Sequence, residues 1–460
     1  MTHRTWFESA SRANGSPRRS SSHAFSRTLP VALAVALLAP VGAVASAQSP
    51  TDIERQTGHG AVRTAGSDPV IPDGVILADG LSDDEAVALA LWNNAAFHAD
   101  LAALGLARAD LVEAGLLKNP ILSFLFPLGP KQLEATVTLP LEIFWQRPRR
   151  VAAAKVDLER VATGLEQNAL DLVRDTRLAF IDVLLAQARA RLAHEAAELR
   201  REVASLVEAR LRAGEIAELE LIAARADLEA ADEMAVRRDG DVVIARTRLG
   251  SLTNLEDLLT SIALTTPPAE PAVPANLDAL VTAALAARPD LRASELAIEA
   301  AAKRAKWEAS KVATLSGILD INGSGKKGFE AGPGIAAELP IFHQNKGGRS
   351  RAAAEVERAA RQFLAVRERI LLDVRQAYAE VAQARASLDA LRQSVMPEAS
   401  ETVKAAELAF RDGDQSYLFV LEATRRLADA RLAEAEALAN LRRATARLER
   451  GLGRKHDFKP

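Results

Sequence analysis

Residues 131–154 read KQLEATVTLPLEIFWQRPRRVAAA, and residues 329–354 read FEAGPGIAAELPIFHQNKGGRSRAAA. In both, an alternating stretch closes on Leu-Pro (Leu139-Pro140, Leu339-Pro340), passes a basic turn and opens into a triple alanine (Ala152-Ala153-Ala154, Ala352-Ala353-Ala354). Further on, Asp175-x-Arg177-x-Ala179-Phe180 answers Asp373-x-Arg375-x-Ala377-Tyr378, and Leu211-Arg212-Ala213-Gly214 answers Phe410-Arg411-Asp412-Gly413. The copies are far longer than a solenoid repeat, so one structural unit is duplicated rather than arrayed.

Within the first stretch Leu133, Ala135, Val137 and Leu139 fall on one face of a strand, and Glu134, Thr136 and Thr138 on the other. Ile121 to Phe126 and Lys131 to Phe144 therefore form a predicted hairpin (119–144) around Pro127-Leu128-Gly129-Pro130. In the second copy (313–341) Leu315, Gly317, Leu319 and Ile321 oppose Ser316, Asp320 and Asn322. Past the Gly323-to-Gly328 turn, Phe329, Ala331, Ile335, Ala337 and Leu339 oppose Glu330 and Glu338. Each hairpin has one apolar and one polar face. It lies either in a bilayer or against the protein's own helices.

Outward from the hairpins the period changes. Ser82 N-caps a helix to about Leu117, with Glu85 at the capping-box position and a break at Asn93-Asn94. Two very long helical stretches follow each hairpin, 150–212 and 216–252, then 351–411 and 416–452, with Pro397 the one internal proline. Val374, Val381, Leu388 and Val395 recur every seventh residue with Ala377, Ala384 and Leu391 between them, a coiled-coil seam. Leu172, Ala179, Ala186 and Ala193 form the smaller seam of the first copy. Sixty helical residues span ~90 Å, the length of a strut or conduit rather than of a compact domain.

Arg18, Arg19 and Arg27 precede an apolar run from Leu29 to Val44 and the small-residue site Ala45-Ser46-Ala47, a secretory signal cleaved after Ala47, and the long stretch before its charged region leaves room for a start codon downstream of Met1. The expected organisation is signal peptide 1–47, extended or disordered leader 48–80, first repeat 81–264, Pro-rich linker 265–276, second repeat 277–453 and tail 454–460. The chain has no cysteine, which excludes disulfides, thiolate metal sites and an N-terminal lipidated cysteine. A net charge of −3 gives no footprint for nucleic acid. Aromatics at 4% are too few for the core of a large globular enzyme. His59, His98, His194 and His343 are scattered without metal-ligand spacing, His98 reading as a half-buried helix residue, and no phosphate-binding loop or catalytic constellation occurs. The chain reads as no enzyme, with no cofactor and no metal site.

Four strands cannot close a barrel, and sheet edges cannot lie bare in lipid. Closure takes about eight strands or more, so at least two chains must pool their hairpins, and three would supply about twelve.

In these features the chain resembles the TolC-like outer-membrane efflux factors from about Leu81 to Gly453. The resemblance rests on the duplicated helix–hairpin–helix–helix plan, Asn119-Pro120, the exit Pro140-Leu141-Glu142 to Arg147 and Arg150, Arg288-Pro289-Asp290-Leu291, and the two Arg-x-Gly tips. It implies a mainly α fold with a small β part. A homotrimer would form a twelve-stranded outer-membrane barrel, in contact with outer-membrane lipid, above an α-helical periplasmic tunnel. The implied partners are a periplasmic adaptor and an inner-membrane pump of the resistance-nodulation-division type. The details are most similar to the heavy-metal branch, so the expected cargo is metal ions or small toxic compounds.

By the same resemblance Arg212, Gly214 and Glu215, with Arg411, Gly413 and Asp414, are the tips that meet the adaptor. Glu220, Phe419 and Glu422 line the tunnel entrance. Phe419 stands where the family often has an aspartate, and either plugs the entrance or packs in the coil. Arg147, Arg149 and Arg150, with Arg349 and Arg351, fit a barrel–tunnel junction facing head groups, or simply solvated helix starts. The same architecture serves type I protein secretion, and a soluble periplasmic scaffold or adaptor is the rival without membrane strands.

Overall fold

The computed structural model describes residues 70–126, 133–256, 262–266, 270, 276–324, 328–412 and 417–453. The signal peptide, most of the leader, the turn at 127–132 and the tail lie outside the described residues.

The first repeat runs α1 (Asp83–Asn93), α2 (Ala95–Gly115), β1 (Ile121–Leu125), β2 (Glu134–Pro140), α3 (Ile143–Arg212) and α4 (Glu218–Thr253). The second runs α5 (Leu277–Ala287), α6 (Pro289–Ser310), β3 (Thr314–Ser324), β4 (Gly328–Glu338), α7 (Lys346–Ala390), a π turn (Leu391–Val395), α8 (Met396–Arg411) and α9 (Tyr417–Leu452). Ser82 accepts from the Glu85 N–H while the Glu85 carboxylate accepts from the Ser82 N–H, the reciprocal capping box that starts α1. Asn94 ends α1 and caps α2 through the Phe97 N–H, so the expected break is a change of helix held by one side chain. The last leader residues are pinned: Val70 exchanges hydrogen bonds with the Asn93 amide, and Leu81 bridges Ala263 and Thr265.

The two hairpins fuse. β2 pairs with β3, giving one antiparallel four-stranded sheet in the order β1-β2-β3-β4, with β1 and β4 as its edges. The register sorts the side chains. Leu122, Val137, Leu319 and Pro333 share a row, as do Phe124, Ala135, Ile321 and Ala331, and Leu139 continues this apolar face beside Gly317 and Ile335. The opposite face carries Ser123, Thr136 and Asp320 in one row and Glu134, Asn322 and Glu330 in the next, with Ile121, Leu125 and Ile318 as apolar exceptions. Thr136 donates to Asp320 at 2.9 Å and Thr314 to Glu338 at 2.9 Å. β3 and β4 have 11 residues each, the length that crosses a hydrocarbon core when tilted.

Three boundaries differ from the sequence expectation. The second arm stops at Pro140 rather than Phe144, because the Glu142 carbonyl already accepts from the Trp145 and Gln146 N–H groups and starts α3. α3 is thus 70 residues long and includes Pro148, whose missing N–H falls within the first turns, near groups that lack partners anyway. α7 begins at Lys346, after Asn345 in the left-handed region, whose amide donates to the Glu308 carbonyl. Gly348 leaves room there for the Asn345 side-chain amide, which an added Cβ would displace.

The third stretch is not one uniform helix. Val374, Val381 and Leu388 are fully buried against Leu441, Ala444 and Leu448 of α9, with Ala377 and Ala384 beside them. Val395, next in the heptad, is 43% exposed. The π turn explains this. Pro397 has no N–H and its ring crowds the carbonyl four residues back, so the preceding turn widens, gains a residue and rotates Val395 off the seam. In the first copy Leu172, Ala179 and Ala186 are buried and Ala193 is half-buried. Each repeat plugs its helix pair with its short helix: Leu89 packs on Phe180 and Leu249, and Leu280 and Ala284 pack on the α7–α9 seam.

Two tests follow from this fold. The Glu85 carboxyl is held below its usual range: burial raises it, but the Ser82 hydroxyl and the Ile76 and Ser82 N–H groups outweigh that. Its folded pKa is depressed, so its contribution is present above the unfolded value and is lost as pH falls through the folded one. Hydrogen exchange at the α1 N-terminus should accelerate only below the ordinary carboxylate range, and Glu85→Gln should remove that pH dependence. Separately, Leu319→Arg on the apolar face should cost about 2–4 kcal/mol at mid-membrane and prevent a heat-modifiable band on gels. Glu330→Gln on the opposite face should leave that band in place.

Candidate functional sites: tips, junction and ion-pair belt

At the first tip Gly214, at φ +78°, lets the chain reverse. The Gly214 N–H donates to Leu211 O and the Glu215 N–H to Arg210 O at 3.0 Å, the paired closure of a Schellman cap. Arg212 reaches Glu208 at 2.6 Å, and Arg225 of α4 approaches the same carboxylate at 3.7 Å, so Glu208 joins the two helices. These guanidinia, Arg212 foremost, hold the Glu208 carboxyl below its usual range. Glu220 is exposed in the first turn of α4, where a carboxylate meets the positive end of the helix dipole.

At the second tip Arg411 ends α8 and Asp412 N–H donates to Leu408 O, while Gly413 and Asp414 lie outside the described residues. The Arg210 guanidinium sits 5.1 Å from the Phe410 ring centroid and links the tips of the two repeats. Ala406, Val420 and Ala423 fill the coil beside Val403 and Phe410. Phe419 is outside that cluster and 47% exposed in the single chain. Glu422 is exposed and pairs with Arg426 at 3.2 Å.

The junction arginines divide. Arg147 donates to Gly115 O at 2.7 Å, and Arg150 donates to Ala114 O at 2.8 Å and Leu116 O at 2.7 Å. They satisfy the orphan carbonyls at the C-terminus of α2, which their charge favours. Arg349 is exposed, and Arg351 pairs along its own helix with Glu355 at 3.2 Å. Nearby, Lys118 reaches the buried Glu142 carboxylate at 2.9 Å. Among the described residues no group of three His, Cys, Asp or Glu could hold a metal. His98 is half-buried with Nε2 2.7 Å from Trp92 O, and His194 faces Asp239 on an exposed surface.

The sequence reading missed an ion-pair belt across the middle of the helices. Arg177 of α3 meets Asp83 (3.3 Å) and Asp84 (3.2 Å) of α1 and Glu449 of α9. Arg450 bridges Asp171 of α3 (2.7 Å) and Asp373 of α7 (2.9 Å). Arg288, whose side chain is 0% exposed, grips Asp290 with two nitrogens and reaches Asp373 at 3.1 Å. Burial alone would lower Arg177 and Arg450, but their carboxylates outweigh it and raise both. The repeats use one motif differently. The first buries its arginine, Arg177; the second employs its aspartate, Asp373, and leaves Arg375 exposed. The one local signal was Arg288-Pro289-Asp290, an arginine beside a first-turn carboxylate.

A long duplicated helical body bearing one open amphipathic sheet defines an outer-membrane channel of the efflux class. The chain belongs to the outer membrane efflux protein family, whose sequence profile matches residues 98–255 and 280–454. It is 27% identical over 447 residues to the cobalt-zinc-cadmium resistance protein CzcC of Cupriavidus metallidurans, covering 93% of this chain and 99% of that protein. Its fold is similar to the outer membrane protein VceC of Vibrio cholerae (TM-score 0.68, 17% identity, 81% of this chain and 96% of VceC). It is likewise similar to CusC (TM-score 0.69, 18% identity, 80% of this chain and 91% of CusC). Family members are channels of the outer membrane. No helix among the described residues is long and apolar enough to cross a membrane.

Removing Arg288 deletes the buried member of the belt and its charge-assisted hydrogen bonds to the partly exposed Asp290 and Asp373, a loss of about 1.5–3 kcal/mol. Arg288→Ala should lower the thermal midpoint far more than Arg375→Ala, as read by far-ultraviolet circular dichroism of the purified protein.

Proposed function

We propose that the chain assembles as a homotrimer whose sheets close a twelve-stranded barrel, and that this trimer is the passive exit duct for divalent heavy-metal cations. The observation that carries this reading is the sheet itself, apolar on one face and polar on the other, with both edges open. β4 runs antiparallel to β1, so β4 of one copy can pair with β1 of the next and continue the alternation around a ring. Three sheets of four strands give twelve, wide enough to enclose a lumen. The polar face, with Glu134, Asp320, Glu330 and Glu338, then lines a lumen suited to cations.

The metal assignment draws on the likeness to the cobalt-zinc-cadmium resistance protein over nearly its whole length. Energy comes from an inner-membrane pump of the resistance-nodulation-division type, bridged by a periplasmic adaptor. The adaptor meets the tips at Arg212, Gly214, Glu215, Arg411, Gly413 and Asp414. Glu220, Glu422 and the exposed Phe419 form the entrance, Phe419 closing it apolarly and the carboxylates drawing cations toward it. Arg349 and Arg351 serve the junction with the membrane, whereas Arg147 and Arg150 hold α2 in place.

Deleting the gene in its host should increase sensitivity to cobalt, zinc and cadmium, with complementation restoring growth, and membrane fractions should hold a cross-linkable trimer. An unchanged metal tolerance would overturn the cargo assignment; a monomer outside the outer membrane would overturn the duct.

A further inference from the structure

Near the helical end of the sheet the two hairpins are duplicates residue by residue. Leu122-Ser123 of β1 answers Leu315-Ser316 of β3, and Ile121 lies opposite Thr138 as Thr314 lies opposite Glu338. The exits Leu139-Pro140-Leu141 and Leu339-Pro340-Ile341 complete the match. Within the chain the first exit grips the second hairpin. The Leu141 N–H donates to Leu315 O at 2.7 Å, Pro140 lies opposite Ser316, and the buried Leu141 side chain covers Gly317. The second exit follows the open edge β4. There the Ile341 N–H turns back to Leu339 O at 2.8 Å, and the Ile341 side chain is 66% exposed.

Hydrogen-bond direction and pleat limit what can complete that edge. Leu133 and Leu141 both bond toward β3, so odd-numbered residues of β2 face that strand and even-numbered ones face β1. Carried across the sheet, this alternation turns the backbone groups of Leu122 and Phe124 outward on β1, and those of Ala337 and Leu339 outward beyond β4. The same four residues share the apolar face. A partner must therefore set odd residues of the β4 arm against even residues of β1, and the in-chain contact selects one register among these.

The helices follow the same rule. Inside the chain Val156 of α3 packs on Ala300 of α6. Counted from the triple alanines and from the first residues of α2 and α6, their duplicates are Val356 of α7, half-buried, and Leu106 of α2, 70% exposed. Lower down, Ala435 of α9 packs against the cluster of Ile181, Leu185 and Ala439. Counted from the Asp-x-Arg motifs and the tip glycines, the duplicates of Ile181 and Ala435 are Ala379 of α7 and Val236 of α4, both exposed. The larger side chain has changed sides, so such a pair still fills its space.

We propose that the contact between repeats is copied between chains. Ile341 of one copy donates to Leu122 O of the next, with Pro340 opposite Ser123, Leu339 opposite Phe124, and Val356 against Leu106. This rests on the trimer reading above and fixes the register in which its sheets close. One residue departs from the template: Phe124 stands where β3 has Gly317, so Ile341 lies beside a ring rather than over a glycine.

The test is oxidative disulfide formation in membranes holding the full chain, which has no cysteine of its own. Ser123 and Pro340 belong to the two opposite edges of the sheet, so a bond between them joins two chains and gives a ladder on non-reducing gels. Ser123→Cys is combined in turn with Pro340→Cys, Glu338→Cys and Ala336→Cys, three registers that all keep the alternation. A two-residue slip moves the Cα atoms about 7 Å along the strand, beyond the reach of a disulfide. The Pro340→Cys pair should therefore link about tenfold more than the other two. Leu106→Cys with Val356→Cys should give the same ladder. If Glu338→Cys or Ala336→Cys links best, or the helical pair stays monomeric, the copied contact is overturned and the duct stands. If no pair links although a chemical cross-linker captures a trimer, the register falls in the same way. If no trimer is captured by any route, the duct reading fails and takes the register with it.

Discussion

The structure depends on a row of unpaired strand edges. β1 and β4 present backbone donors and acceptors with no strand partner on their outer side among the described residues, and in hydrocarbon each such group costs several kcal/mol. An amphipathic sheet of four strands is too narrow to curl on itself. It can be satisfied only by another sheet with the same two edges. The duplication makes that possible: each repeat contributes one hairpin, and the β2–β3 pairing across repeats holds both hairpins in one register. Assembly geometry is thus written into a contact inside the monomer.

The helical body answers a different constraint. A hollow tube has no thick core, so helices must pack along narrow seams. Small residues serve that need, and the buried set is dominated by Ala and Leu, with Phe180 and Phe97 as rare large members. Thin seams bury little apolar area per residue, and directional charge supplies what they lack in specificity. Arg177, Arg288 and Arg450 each bind carboxylates from other helices or from a neighbouring turn, so the belt fixes how α1, α3, α7 and α9 are arranged. Buried ion pairs are poor sources of net stability; here their value is registry between helices that a uniform alanine surface would leave free to slide.

What the sequence disclosed was whatever repeats at short range. Alternation of Val137 with Thr136 and Thr138 revealed the strand, and the seven-residue spacing of Val374, Val381 and Leu388 revealed the seam. The capping box at Ser82 and Glu85 and the glycine tip at Gly214 were legible because each is complete within a few residues. Contacts that join distant segments were not. Nothing near Glu449 says that it will meet Arg177, and nothing near Arg147 says that it will cap α2 rather than face lipid. Val395 misled for a third reason. The heptad was intact, but Pro397 two residues later changed the helix beneath it.

That last deviation also separates the two repeats in mechanics. The same plan was copied twice, yet α3 runs 70 residues without interruption while its counterpart is divided into α7, a π turn and α8. An uninterrupted helix clamped by Arg177 to α1 and α9 resists torsion. A helix that changes register midway, with a buried seam on one side and a thin contact on the other, concentrates bending at a single place. Duplication followed by one proline thus leaves one repeat with an unbroken helix and divides its counterpart at a single turn.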